Sequence, residues 1–301
     1  MNRPLLAVAV GADATGDPVR ALVRALSRRC DVRALSGCSR RPDAVLAVGV
    51  DVLASVPAGV RAAVFVEEAA AVEDVPGDVL ALAADGRAPE VHAGRGVVVV
   101  PKGAIDAESL PPLSLLLRRR WRARLGLPDL LLVAVAAPDP APALHGVVDV
   151  GSAADVPTAL AVASAAVVTG AWLSTALALG TPVVTDWGSA SGLRAADGEH
   201  VIVRPVERVG EALDHLARSE LEAAPLARRA RLLVEERLDI GTVAGAVASH
   251  LGFSPPPAPR PTGSASIDER LDELRTPAVA HIRTRAAAAV AALAAPPQEV
   301  Q

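Results

Sequence analysis

Aromatic residues are almost missing from this 301-residue chain, which has no Tyr, two Phe and three Trp. Proteins that hold single-stranded nucleic acid stack its bases on aromatic side chains, so a platform of that kind is excluded. A basic surplus is missing as well. Lys and Arg number 30 against 34 Asp and Glu, and the formal charge of −4 leaves no footprint for a phosphate backbone. Cysteine is limited to Cys30 and Cys38, too few for a disulfide framework, and both are expected as reduced thiols of a cytoplasmic protein. No segment offers about 18 consecutive apolar residues free of charge and Pro, so no spanning helix is expected. The opening MNRPLLAVAVGADATG carries only a short apolar run, which does not read as a targeting segment.

What is present is a hydrophobic fraction of 51% carried by Ala, Val and Leu. Short runs of these residues alternate with stretches of helical period, the pattern of βαβ units and parallel sheets. Strands are predicted from Leu5, Asp31, Ala44, Ala63, Val79 and Val97, making a first domain over residues 1–110. The pattern then breaks at SLPPLSLLLRRRWRARLGLPD, and residues 111–128 are read as a connector. Its Arg118, Arg119, Arg120, Arg122 and Arg124 suggest a helix with a solvated face, with peripheral contact to a membrane surface as the alternative. A second α/β domain follows over 129–253. Residues 254–266 form a Pro/Ser-rich linker, and 267–301 form a helical tail, helical from about Ile267 to Ala295, which packs on the body or binds a protein partner.

In open α/β sheets ligands bind beyond the carboxyl ends of the strands, so the informative residues are those directly after strands. Four places qualify: Gly11 to Asp13, Glu67 with Glu68, Pro101-Lys102-Gly103, and Thr169-Gly170 running into Ala171 to Thr175. The last is the strongest. A strand ends there at Gly170 and a helix begins, with Ser174 and Thr175 in its first turn, a setting that favours a phosphate. Asp186, Trp187 and Gly188 fall near the same edge. No GxGxxG follows the first strand, no GxSxG elbow occurs, and neither a DxD pattern nor the six His residues have metal-ligand spacing.

The runs VVTGAWLSTALALGTPVVTD, ASGLRAADGEHVIVRPVERVGEALDHL and RARLLVEERLDIGTVAGAVASHL resemble the donor-binding half of GT-B glycosyltransferases of the retaining family-4 type. The stretches VVVVPKGAIDAESL and RLGLPDLLLVAV are similar to the elements that close the acceptor domain and open the donor domain. The likeness covers about residues 5–252 and is most specific over 97–136 and 166–250. It implies two Rossmann-like domains, a nucleotide-diphosphate sugar as substrate, an unknown acceptor, retention, and no metal or other cofactor. The donor is then expected at Gly170, Ser174 and Thr175, with Lys102 and Arg204, or Arg194 or His200, as candidates to compensate for diphosphate-binding cations of the family that this chain lacks, and an acceptor-side loop at Gly11 and Asp13. Where the family carries a His after a strand, VFVEEA places Glu67 or Glu68, and Glu67 is taken as the catalytic candidate.

The departures are equally specific. The second glutamate of the family's E-x7-E pair is matched by Thr175, and the first glutamate with its loop has no counterpart. The Arg and Lys expected after the first donor-domain strand are replaced by APDPAPALHG. Two readings therefore stand side by side: a shortened glycosyltransferase, and a GT-B-like scaffold or partner subunit without donor chemistry.

Overall fold

The computed structural model describes residues 4–10, 17–66, 74–76, 78–84, 97–101, 103–110, 112–135, 147–150, 155–253 and 277–294. The chain divides into two compact units, Met1–Ser109 with Arg237–Arg260, and Leu110–Glu236 with Pro261–Gln301.

The first unit is built on β1 (Leu5–Val10), β2 (Asp31–Ala34), β3 (Ala44–Val48), β4 (Arg61–Val66), β5 (Leu80–Ala84) and β6 (Val97–Val100), with α1 (Asp17–Ser27) between β1 and β2. The strands pair in parallel in the order β2-β1-β3-β4-β5-β6. Every residue of β3 is buried, as the unbroken run AVLAV requires of a strand covered on both faces. Val19, Leu22, Ala25 and Leu26 recur at helical spacing and turn one face of α1 onto Leu6, Leu46, Phe65 and Leu82.

The other helix in that core comes from far along the chain. Helix α8 (Ile240–His250) buries Ile240, Val243, Ala244 and Val247 in the same cluster and packs against α1. Residues 237–253, expected within the second domain, therefore belong to the first unit. Their amphipathic period announces a buried face without saying which sheet receives it. Backbone pairing secures the return: Ile105 N–H donates to the Leu238 carbonyl at 2.9 Å, and Ile240 N–H donates to the Ile105 carbonyl at 2.9 Å. Beside this crossing the buried Asp106 accepts both terminal nitrogens of Arg28, at 2.5 and 2.9 Å, and that hydrogen-bonded pairing raises the Arg28 pKa.

The second unit contains α2 (Leu115–Leu125), β7 (Leu132–Val135), β8 (Val147–Asp149), α3 (Val156–Val162), β9 (Ala165–Val168), α4 (Trp172–Leu179), β10 (Val183–Thr185), α5 (Trp187–Gly192), β11 (Ile202–Val203), α6 (Val209–Arg218) and α7 (Glu220–Leu233). Its strands are also parallel, in the order β11-β10-β9-β7-β8. Leu213 and Leu216 of α6 and Leu226 of α7 cover Leu132, Val167 and Val184. Helix α7 runs through Pro225. Helix α9 (Pro277–Ala294) packs on α3 and β8, with Val279, Ile282 and Ala286 buried. The part of the expected tail helix over 267–276 lies outside the described residues.

The expected connector is an integral part of the second unit. Ser114 caps α2 by accepting the Leu117 N–H, Gly126 ends it at φ +67°, and Arg118 is fully buried. Its guanidinium donates to the carbonyls of Leu113, Leu160, Ala161 and Leu179 at 2.5–3.1 Å, closing the carboxyl ends of α3 and α4. Arg122, 5% exposed, donates to Val162 and Asp129 carbonyls. The solvated face read from the sequence thus holds only for Arg119, Arg120 and Arg124. Burial, reinforced by the nearby Arg122 charge, pushes the Arg118 pKa down to about 9.

Candidate functional site

The strand order of the second unit reverses between β7 and β9, because β8 lies on one side of β7 while β9, β10 and β11 follow on the other. Such a switch point splays the loops apart at the carboxyl ends of the strands and is the usual ligand position of an open parallel sheet. Strand β9 runs out at this edge into Thr169, Gly170 and the start of α4. Gly170 adopts φ +62°, the left-handed region that side chains resist, and this lets the strand turn into the helix within three residues. The first amides of α4 have no earlier turn to bond to, and Leu173 N–H alone folds back onto the Gly170 carbonyl at 3.2 Å.

A neighbouring turn holds Gly170 in place. After β10, Asp186 caps α5: one carboxylate oxygen accepts the Ser189 N–H at 2.9 Å and the other accepts the Ser189 hydroxyl at 2.5 Å. The Ser189 Oγ in turn accepts the Gly170 N–H at 2.9 Å. The Thr185 hydroxyl donates to the Val168 carbonyl at 2.6 Å, tying the ends of β9 and β10 together. Burial opposes the charge on Asp186, but the hydroxyl and amide donors outweigh it and hold its carboxyl below the usual range.

Beyond β11 lies Arg204, with its N–H on the Thr185 carbonyl at 3.1 Å. Its guanidinium reaches Asp197 at 3.3 Å and the Val203 carbonyl at 2.6 Å, and its side chain is 40% exposed. Asp197 also accepts the Val203 N–H at 2.8 Å, and His200 Nδ1 accepts the Ala196 N–H at 3.1 Å. The DGEH segment is therefore a turn locked by its own side chains. Arg194 stands just before it at φ +55°.

The structure brings Gly170, Asp186, Ser189 and Arg204 to one edge of one sheet. Ser174 and Thr175, expected to present hydroxyls there, are buried at 5% and 8% exposure, and the Ser174 hydroxyl donates back to the Ala171 carbonyl at 3.3 Å. Lys102, Glu67, Glu68, Gly11 and Asp13 lie outside the described residues. Sequence reasoning passed over the Asp186–Ser189–Gly170 chain, although an Asp three residues before a Ser at the start of a short helix is a readable capping signal. Among the described residues no three His, Cys, Asp or Glu side chains gather as a metal-binding group, and no helix is long and apolar enough to cross a membrane.

No family model matches the chain, and no curated protein matches it. Solved structures do. The chain is similar to HepE of Anabaena in complex with UDP and glucose, at 14% identity over 83% of this chain and 100% of that one, TM-score 0.51. It is similar to sucrose-phosphate synthase of Thermosynechococcus elongatus, at 12% identity over 82% and 98%, TM-score 0.52. It is also similar to a glycosyltransferase of Rickettsia africae, at 9% identity over 83% and 100%, TM-score 0.53. At such identities the kinship is one of fold: mixed α/β with parallel sheets, shared with structures of glycosyltransferases.

Proposed function

We propose that the chain transfers a sugar from a nucleotide-diphosphate donor to an acceptor, with retention and without a metal ion. The observation that carries this reading is the Gly170 turn at the switch point, which opens the first amides of α4 where a parallel sheet takes its ligand. The shared fold supports it, since HepE is seen with UDP and glucose. In this reading the donor diphosphate sits against the amides of Ala171 and Trp172. The positive end of α4 favours the charge that develops on the departing diphosphate. Arg204 swings from Asp197 towards the phosphates, Ser174 and Thr175 back the first turn, and Lys102 remains the further cation assigned from the sequence. Glu67 as the catalytic group, and Gly11 and Asp13 on the acceptor side, are the assignments this reading carries over from the sequence.

A scaffold or partner subunit without donor chemistry is the second reading. It is favoured by the engagement of the polar groups at this edge: Ser174 on its own helix, Thr175 buried, Arg204 on Asp197. A panel of UDP, GDP, ADP and dTDP with their glucose conjugates separates the two. A ligand at about 100 times its Kd stabilises by about 2.7 kcal/mol, a visible thermal shift. A selective shift followed by release of free nucleoside diphosphate in the presence of acceptor supports transfer. Silence across the panel at millimolar ligand overturns it in favour of the scaffold.

A further inference from the structure

The few aromatic residues of this chain are sharply divided between two settings. Phe65, Trp121 and Phe253 are buried, at 4%, 3% and 8% exposure. The remaining two, Trp172 and Trp187, are not buried, and Trp187 is 71% exposed. Both lie at the carboxyl edge of the second sheet. Trp172 stands two residues beyond Gly170 and Trp187 two residues before Ser189, and Gly170 and Ser189 are joined by the 2.9 Å hydrogen bond. The two indoles therefore spring from the two sides of a single contact. Trp187 is the first residue of α5 and directly follows its cap, Asp186, so its backbone is fixed by the pair of bonds to Ser189.

A lone exposed apolar side chain on a surface needs no explanation. Every unburied aromatic residue of a chain with five of them, each two residues from one partner of the Gly170–Ser189 hydrogen bond, does. We propose that Trp187, flanked by Trp172, is a stacking subsite for a ring of the nucleotide-sugar donor. The inference rests on the donor reading and adds to it the recognition of a ring. An indole face offers a large, flat, polarisable surface at little conformational cost, and the faces of a nucleobase and the C–H face of a pyranose both suit it. A diphosphate at Ala171 and Trp172 carries a ring on each side, and Trp187 stands across the Gly170–Ser189 hydrogen bond from it. No hydrogen bond from the indole to the ligand is required, so the subsite gives affinity with little selectivity among bases.

The test compares wild-type protein with W187A, W187F and W172F by calorimetry and intrinsic fluorescence, using UDP-glucose, UDP, glucose 1-phosphate and the equivalent GDP, ADP and dTDP ligands. The bound donor is expected to quench the fluorescence of the wild type. W187A is expected to weaken donor binding about 5- to 100-fold at an unchanged Tm, and W187F to keep most of the affinity while losing most of the quench. Equal dependence of UDP and UDP-glucose on Trp187 assigns the nucleobase to it, and dependence of UDP-glucose alone assigns the sugar. Donor binding that is unchanged in W187A, with the quench retained in W187F, overturns the subsite and leaves the donor reading standing. A wild-type protein that binds none of these ligands overturns both.

Discussion

Arg118 carries an unusual share of the second unit for one side chain. It is a cation with carbonyl partners on α3, α4 and the entry to α2, set in a place where Lys, with a single nitrogen, could satisfy only some of them. R118M is expected to remove the guanidinium donors, leaving Leu160 to the Thr181 hydroxyl and Leu179 to the Leu113 N–H, and to lower stability by about 3 kcal/mol, read by urea denaturation, with R118K recovering part of the loss. Asp186 acts through its charge as well as its cap. Its folded-state pKa is depressed, so its stabilising contribution is present above the ordinary carboxylate range, near pH 4, and is lost as pH falls through the folded value. D186N keeps a capping side chain and loses the charge. Its stability is therefore expected to fall less steeply than that of the wild type on acidification below about pH 4, measured as Tm against pH. A curve as steep as the wild type's would assign the acid sensitivity to another carboxylate.

At the scale of elements, the turn from β9 to α4 and the docking of α9 are the informative joints. A Cβ at Gly170 would meet open space, yet φ +62° disfavours any side chain there. G170A is therefore expected to cost about 1 to 2 kcal/mol through backbone strain alone, read by urea denaturation, and, on the proposed donor reading, to weaken nucleotide-sugar binding as well. Ile282 of α9 is 2% exposed against α3 and β8, and I282A is expected to cost about 2 to 5 kcal/mol, read by urea denaturation. The strands were legible as unbroken Val, Ala and Leu runs, and Gly170 was legible as the glycine closing one of them. The buried arginines were not. In RRRWRAR five of the seven residues are Arg, and nothing local distinguishes Arg118, which meets the ends of two later helices, from Arg119, which pairs with Asp129 in solvent. Ser174 and Thr175 were legible as hydroxyls in a first turn. Their burial depends on what α4 packs against, which no local pattern contains.

For the whole molecule, the decisive fact is that the first unit is discontinuous in sequence. Its core takes α1 from the beginning of the chain and α8 from beyond residue 236. Residues 1–109 expressed alone are expected to lack a cooperative thermal transition, and addition of a 237–253 peptide to restore one by covering Leu22, Leu26 and the sheet face. The alternation of strands and helices made two α/β sheets readable, but amphipathic period alone could not tell that α8 belongs to the first of them.

That discontinuity also sets an order in time. On a ribosome the six strands of the first sheet emerge with α1 covering part of one apolar face, and α8, which completes that cover, arrives about 140 residues later. At typical synthesis rates of about 5 to 20 residues per second the nascent chain spends roughly 7 to 28 s in that state, while residues 110–236 of the second unit are made within the gap. A holding chaperone has its longest opportunity on this protein during that interval.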